Sequence, residues 1–266
     1  MIIEIKDADI GYQEDQVISS LSFQFEKGKI HSIIGPNGCG KSTCLKAIGH
    51  QLKVLNGEVI FQQVEVSRWG RKAFAKELAF FMQENESQLE MTVRKLIEYG
   101  RFPHKKAFER FNLKDQAVID QALHLTNLES LSDRAVNTLS GGERQRAWAA
   151  MAIAQQPSVL LLDEPTAYLD IHHQLEMIDL IQRLNKEQCL TIILVLHDIQ
   201  QAAMISDQMI VLHDGRIYNS GAPKHVITNQ MLHDVFKVKA DIQTSHENDL
   251  VSISNFQLVE RVSKSQ

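Results

Sequence analysis

The chain has 266 residues, a length that predicts one or two domains. Hydrophobic residues make up 44% and charged residues 23%, a mixture that excludes wholesale disorder. The formal net charge of −5 argues against a general nucleic-acid-binding protein, which needs excess positive charge to displace counterions. Three scattered cysteines, no apolar stretch long enough to span a bilayer and no signal-peptide pattern together predict a soluble cytosolic protein.

Short apolar runs alternate along the chain with segments of helical periodicity. The runs are expected to form strands at 2–5, 17–25, 29–34, 58–61 (an edge strand), 78–82, 159–162 and 191–196. Helices are expected at 41–51, 93–99, 116–125 and 143–156. The wholly apolar strands predict a sheet covered on both faces, and the helices between residues 82 and 159 predict a separate helical lobe. The polar segment after residue 240 has no clear pattern.

A glycine-rich segment lies between the predicted strand 29–34 and the helix that begins at Lys41. It matches the phosphate-binding pattern G-x-x-x-x-G-K-S/T, in which backbone N–H groups and the positive end of a helix surround phosphate oxygens. Lys41 is predicted to neutralise the terminal phosphates, Ser42 to bind Mg²⁺ and Thr43 to lie near the α-phosphate. The alternative is a plain turn with a solvated lysine. The predicted nucleotide-binding residues are Gly35, Pro36, Asn37, Gly38, Cys39, Gly40, Lys41, Ser42 and Thr43.

Two acids end the apolar strand at 159–162. Open α/β sheets bind ligands at the carboxyl ends of their strands, where Asp163 and Glu164 are expected to lie. Asp163 is predicted to hold Mg²⁺, directly or through water, and Glu164 to polarise the attacking water. Acids at a strand end can also cap the next helix, but after a phosphate-binding loop the catalytic interpretation is favoured.

A second phosphate-binding helix start is predicted at Ser140, Gly141 and Gly142, before the helix expected at 143–156. Ser140 can also be a simple helix cap. Since the first loop already holds a triphosphate, the second needs another ligand, such as the γ-phosphate of a nucleotide held by another subunit.

Together, the segment L-S-G-G-E, the phosphate loop, the segment L-L-L-D-E-P and the isolated His197 resemble those of an ATP-binding cassette (ABC) ATPase. The resemblance extends from Tyr12 to about residue 238. It implies that Tyr12 stacks on adenine and that Gln83 senses Mg²⁺ and the attacking water and moves with the partner. It further implies that Asp170 contacts the opposite subunit and that His197 contacts the γ-phosphate. The alternatives are a surface aromatic for Tyr12, a loop residue for Gln83 and a core histidine for His197. Asp170 can be a helix cap, and can serve in both roles.

Residues 84–138 leave room for a small helical lobe but exclude the long coiled-coil insertion of chromosome-maintenance ATPases of this family. The single cassette disfavours the soluble translation factors, which carry two. The segments 92–104, 145–148 and 169–174 resemble the ATPases of iron–siderophore, haem and cobalamin importers. Glu143 and Met82 depart from that subgroup's pattern, and 92–104 can also be an ordinary amphipathic helix with a turn.

The expected fold is α/β, a P-loop NTPase core with an N-terminal antiparallel β arm and an inserted helical subdomain. Residues 1–83 and 157–240 would form the core and arm, 84–156 the helical subdomain, and 241–266 an extension of undetermined structure. The resemblance implies an ATPase that uses ATP and Mg²⁺, pairs head to tail with a second copy and binds membrane permease subunits at the cytoplasmic face. The implied cargo is a ferric siderophore delivered by a solute-binding protein. A haem or cobalamin importer, a soluble remodelling ATPase and a regulatory module without turnover are the alternatives.

Overall fold

Strands and helices alternate along the chain. The computed structural model describes residues 1–13, 15–81, 90–106, 109–245 and 249–259. Its strands are β1 (Ile3–Tyr12), β2 (Asp15–Phe25), β3 (Ile30–Ile34), β4 (Asn56–Phe61), β5 (Val64–Glu65), β6 (Leu78–Phe81), β7 (Val159–Asp163), β8 (Thr191–Val195), β9 (Gln208–His213), β10 (Arg216–Gly221), β11 (Val238–Thr244) and β12 (Val251–Leu258). Its helices are α1 (Lys41–Ile48), α2 (Arg71–Glu77), α3 (Val93–Tyr99), α4 (Leu113–Leu125), α5 (Gly141–Ala154), α6 (Ile171–Gln188), α7 (Ile199–Ile205), α8 (Pro223–Val226) and α9 (Asn229–Phe236).

The central sheet has the strand order β10-β9-β3-β8-β7-β6. Every pair in it is parallel except β10 with β9. On β8, Ile192 and Leu194 face the core that contains α6 and α7, while Ile193 and Val195 face the core that contains α1. The expectation of strands covered on both faces is confirmed for β7 and β8, because apolar residues on both faces exclude water from the parallel ladder.

The N-terminal arm is an antiparallel sheet in the order β2-β1-β4-β5. Its apolar face, with Ile5, Ile10 and Ile18, packs with Leu45 of α1 and with the central sheet in one hydrophobic core. The predicted arm is confirmed. The expectation that 58–61 is an edge strand is wrong, because β4 pairs with β1 on one side and with the two-residue β5 on the other.

The segment between β6 and β7 contains helices α3, α4 and α5. Leu96 of α3, Ile119 of α4 and Ala150 of α5 are fully buried and belong to the core that also contains α6. Helix α4 begins at Leu113, three residues before the expected start, because Asn112 and Asp115 form a reciprocal capping box. The lobe therefore has the expected helices, and its boundaries at 84 and 156 stay predictions.

The extension after residue 240 contains the second strand of a β-hairpin. Strand β12 pairs with β11, and Val251 and Ile253 are buried. The Gln200 side chain on α7 makes two hydrogen bonds with β12. It donates to Val251 O at 3.1 Å and accepts from Ile253 N at 2.8 Å. Sequence reasoning left this segment undetermined because few of its residues are apolar. Within the described ranges, no helix is long and apolar enough to cross a membrane.

Candidate functional site

The carboxyl ends of β3, β8 and β7 meet at one edge of the central sheet. Val195 on β8 lies opposite Ile33 on β3 and opposite Asp163 on β7. The three strands therefore end at the same level, and their next residues leave the sheet together. This register brings the predicted phosphate loop, the two acids and His197 to one place, as the position of ligand sites in open α/β sheets predicts.

The phosphate loop connects β3 to α1. Gly40 immediately before the helix has φ 103°, and a Cβ there would lie 2.7 Å from Ile18 Cγ1, so the position requires glycine. No side chain caps α1, which leaves its first backbone N–H groups available to an anion. Lys41 Nζ donates to Gly35 O at 2.9 Å and to Pro36 O at 3.0 Å. The amine thus lies within the loop, where an arriving phosphate can replace neutral carbonyls as its partner.

Ser42 and Asp163 form a pair of hard oxygen ligands. Ser42 Oγ donates to Asp163 Oδ1 at 3.0 Å, although 121 residues separate them in the chain. Burial raises the pKa of Asp163, and the nearby Glu164 carboxylate raises it further against the opposing effect of the Ser42 hydrogen bond. Ionising this partly buried carboxylate is costly without a neighbouring positive charge, and a bound Mg²⁺ would supply that charge. The carboxylate and the hydroxyl are also oxygen ligands of the kind that Mg²⁺ takes.

Glu164 and His197 form a second pair beside this one. His197 Nε2 lies 2.5 Å from Glu164 Oε1. Glu164, the residue after β7, has φ 53°, a backbone conformation that is costly for a residue with a side chain. His197 follows β8 and precedes α7, which Asp198 caps. The core-histidine alternative is wrong, since the His197 side chain is 47% exposed.

A cavity of about 210 Å³ opens between these groups. Its volume is below the roughly 300–1,000 Å³ of pockets that bury whole small molecules, so it suits part of a nucleotide. The lining residues are Val17, Asn37, Gly38, Gly40, Lys41, Ser42, Thr43, Glu164 and His197. Val17 was not predicted, and its apolar side chain carries no chemical signal that could have identified it.

The loop cysteine is a small buried side chain rather than a reactive group. Cys39 is 6% exposed, and burial raises the pKa of its thiol despite the nearby Lys41. The thiolate is therefore disfavoured, and with it nucleophilic or redox chemistry.

Ser140 begins α5 through a reciprocal capping box. Its Oγ accepts from Glu143 N at 3.2 Å, and Glu143 Oε2 accepts from Ser140 N at 2.8 Å. The helix-cap interpretation of Ser140 is confirmed, and Glu143, which departs from the subgroup pattern, completes that cap. Ser140 and Gly141 are exposed and Gly142 is buried, and none of the three is among the residues that line the described cavity.

The remaining predicted residues lie apart from the cavity or outside the described residues. Asp170 caps α6 by accepting from His173 N at 3.0 Å, so its helix-cap interpretation is confirmed. Tyr12, at the end of β1, is 45% exposed, with Lys46 Nζ 5.9 Å from its ring centre. Gln83 lies outside the described residues.

Comparison with known proteins agrees with this geometry. The family description "ABC transporter" matches residues 18–167, which contain the phosphate loop, Ser140 and both acids. The chain belongs to the ABC transporter family. It is an ABC-type ATPase, a member of a family that binds nucleotide.

Several curated relatives cover nearly the whole of this ABC ATPase. The petrobactin import ATP-binding protein FpuC of Bacillus anthracis is 42% identical over 91% of this chain and 89% of its own. The iron(3+)-hydroxamate import ATP-binding protein FhuC of Bacillus subtilis is 43% identical over 88% and 87%. The ferric enterobactin transport ATP-binding protein FepC of Escherichia coli is 36% identical over 88% and 86%.

Solved structures support the fold over the same length. A chain from an ABC transporter described as metal-chelate type, in an inward-facing conformation, superposes with a TM-score of 0.82 at 27% identity, covering 97% of both chains. A dimeric ATP-binding cassette in a post-hydrolysis state with ADP and phosphate superposes with a TM-score of 0.72 at 26% identity, covering 84% of this chain and 99% of that one.

A buried ionic cluster joins the end of the segment 92–104 to helix α4. Arg101 Nε and Lys105 Nζ lie 3.2 and 2.5 Å from the two carboxylate oxygens of Asp115. Arg101 also donates to Ala154 O at the end of α5, at 2.8 Å. Sequence reasoning missed this cluster. The available signal was two basic residues, Arg101 and Lys105, shortly after α3 and the acidic Asp115 in the first turn of α4.

Proposed function

We propose that this ABC ATPase hydrolyses Mg-ATP in a head-to-tail dimer, with each nucleotide held between the phosphate loop of one chain and the Ser140 segment of the other. The single observation that carries the proposal is the composition of the described cavity. It contains Lys41, Glu164 and His197 but no residue of 140–142. The start of α5, where Ser140 and Gly141 are exposed, is then available to a second chain.

Each side chain has a role that its contacts support. Lys41 would exchange the Gly35 and Pro36 carbonyls for phosphate oxygens. Ser42 and Asp163 would hold Mg²⁺, which neutralises charge between the phosphates when bound. Glu164 would accept charge from the attacking water, and His197, now 2.5 Å from that carboxylate, would hold it in place and reach the γ-phosphate.

We further propose that the dimer drives an importer of iron complexes, with a ferric siderophore as the cargo. Support comes from relatives named for petrobactin, iron(3+)-hydroxamate and ferric enterobactin, at 36–43% identity over most of the chain. The spans would lie in separate permease subunits, and the ATPase would bind them at the cytoplasmic face of the membrane. A solute-binding protein would deliver the cargo, so this chain does not touch it. A cobalamin importer is the second candidate, since a Halobacterium salinarum protein named for cobalamin import is 32% identical.

Mixing two inactive variants tests the shared site. Lys41→Ala and Ser140→Arg should each abolish ATPase activity alone. A heterodimer of the two has one doubly damaged site and one intact site, so the mixture should recover part of the activity. An ATP-dependent disulfide between cysteines placed at Ser140 and near Gly38, with the native cysteines replaced, should link two chains on a denaturing gel. A link formed within one chain contradicts the proposal.

The Glu164→Gln variant tests dimer formation directly. The amide keeps the size of the side chain but cannot accept charge from the attacking water, so ATP should bind and persist. Removing the carboxylate also removes its repulsion of the triphosphate. Size-exclusion chromatography with Mg-ATP should show a dimer, and with ADP a monomer. If the variant remains a monomer at saturating ATP, both as the isolated chain and when mixed with the permease in detergent, the head-to-tail dimer is contradicted.

Uptake by intact cells tests the cargo. A strain that lacks this gene should lose uptake of radio-iron presented as ferric hydroxamate or catecholate siderophores. Wild-type chain should restore it and Glu164→Gln should not. Normal ferric siderophore uptake with a loss of haem or cobalamin uptake would assign the chain to that cargo instead.

A further inference from the structure

His173, in the first turn of α6, contacts two of the residues predicted to meet the opposite subunit. Its Nδ1 lies 2.8 Å from Asp170 Oδ1, the same oxygen that accepts from its backbone N at 3.0 Å. A carboxylate only accepts hydrogen bonds, so Nδ1 carries a proton and donates. These bonds, the backbone one first, hold the pKa of Asp170 below its usual value. The imidazole therefore reinforces the helix cap.

The other edge of the ring lies against Gly142, in the Ser140 segment (residues 140–142). A Cβ added to Gly142 would lie 2.1 Å from His173 Cδ2 and 2.8 Å from Nε2. Gly142 lies inside helix α5 and does not have a positive φ, so the close approach of this ring, rather than backbone conformation, requires glycine there. The ring thus fits against the start of α5.

Two further contacts join α5 to Pro165, which follows Glu164, and to α6. Gln145 Nε2 donates to Pro165 O, and Arg146 lies 2.5 Å from Glu176 of α6. Of these contacts between α5 and α6, the one that His173 makes lies nearest the exposed starts of the two helices. Tyr168 and Ile171, near it in the chain, are 95% and 75% exposed. That exposed end would face the second chain in the proposed dimer.

We propose that His173 is a positioning residue that holds Asp170 in place beside the Ser140 segment, so that Asp170 meets the opposite chain correctly. The hydrogen bond to Asp170 is the decisive contact, and the ring on Gly142 sets its direction. The inference rests on the proposed dimer, since neither segment contributes to the cavity of its own chain. His173 itself touches no nucleotide in this arrangement.

Three substitutions separate the contacts. His173→Phe keeps a ring over Gly142 but cannot donate to Asp170. His173→Asn keeps a donor at the place of Nδ1 and loses most of the ring. The control is His172→Phe, since the neighbouring histidine is 77% exposed and contacts Glu176 at 3.6 Å.

We expect His173→Phe to lower kcat about tenfold. Without its hydrogen bond, Asp170 would meet the opposite chain in the wrong place, and the reacting groups would be less well positioned in the transition state. His173→Asn should restore kcat to within about twofold of wild type, and His172→Phe should not change it. ATP affinity of the isolated chain should stay unchanged in all three variants, since the phosphate loop is untouched. Asp170→Asn combined with His173→Phe should be no worse than the poorer single variant, as for two residues that act through one bond.

Wild-type kcat in His173→Phe would overturn the inference, as would equal losses in His173→Phe and His173→Asn. A loss of ATP affinity or of the urea midpoint that parallels the loss of kcat would also overturn it, by assigning His173 a purely structural role. The Glu164→Gln background keeps this result distinct from the proposed dimer. If Glu164→Gln dimerises with ATP, adding His173→Phe to it leaves that dimer unchanged, and His173→Phe alone keeps the wild-type kcat, the dimer stands and the inference fails.

Discussion

Asp115 is expected to be essential for the stability of the helical lobe. Its side chain is 5% exposed, and its partners Arg101 and Lys105 are 4% and 6% exposed. Burial alone would raise the pKa of Asp115, but hydrogen bonds from Lys105, from Asn112 N and from Arg101 lower it to about 2. The ionised carboxylate is thus well compensated in the folded state, whereas the cations would be uncompensated without it.

The substitution Asp115→Asn leaves two buried cations facing a neutral amide. Breaking a buried ion pair costs roughly 3–5 kcal/mol. Lys105 keeps Glu109 at 3.1 Å, and Arg101 keeps Ala154 O at 2.8 Å. We therefore expect the lower end of the range, a loss of about 3 kcal/mol in the free energy of unfolding.

Asp120 provides a matched control on the same helix. It also pairs with an arginine, Arg94, at 2.6 Å, but its side chain is 60% exposed. Asp120→Asn should cost about 0–1 kcal/mol, because water screens the pair. Urea unfolding followed by circular dichroism, with equal m-values, measures both. Losses of the same size in the two variants would refute the argument from burial.

The effect of Asp115 should also depend on pH in a defined direction. Because its pKa is lowered in the folded state, its stabilising contribution is present above the unfolded pKa of about 4 and is lost as the pH falls toward 2. The stability difference between wild type and Asp115→Asn should therefore shrink over that interval. A difference that stays constant down to pH 2 would contradict the assigned ionisation.

Substitutions at three further residues test the nucleotide site. Asp163→Asn should abolish hydrolysis yet raise the melting temperature of the nucleotide-free protein. Since burial raises the pKa of Asp163, ionising it destabilises the fold, so this gain should grow from acid to neutral pH and vanish below the unfolded pKa. Tyr12→Phe should keep ATP affinity, whereas Tyr12→Ala should lose about 1–3 kcal/mol of stacking free energy, measured by nucleotide titration. Equal losses of affinity in the two variants would show that the ring does not stack on adenine. Gln83→Ala should retain hydrolysis in the isolated chain and uncouple hydrolysis from uptake in the assembled transporter. If hydrolysis and uptake fall by the same factor, Gln83 acts only as a catalytic residue.

Short-range features of the fold were predictable because neighbouring residues decide them. The phosphate loop is contiguous in sequence, and Gly40 and Lys41 occupy it as their spacing predicts. Helix α3 has the expected bounds, since Thr92 caps it and apolar residues recur on one face. Strands β7 and β8 were recognisable as buried because a run of apolar side chains has no polar face to turn to water.

The tertiary structure alone decided which distant residues meet. The order β3-β8-β7 is not the order of the chain, so only the sheet brings Ser42 to Asp163 and His197 to Glu164. The contact of His173 with Gly142 depends in the same way on how α6 packs against α5.

The C-terminal hairpin shows the same limit from the opposite side. Its second strand buries few apolar side chains, so local pattern gave too weak a signal to assign it. The hydrogen bonds from Gln200 on α7 supply what the strand's own sequence lacks. Local conformation follows from residues a few positions apart, whereas pairing between remote segments depends on packing free energy summed over the whole core, which no short pattern contains.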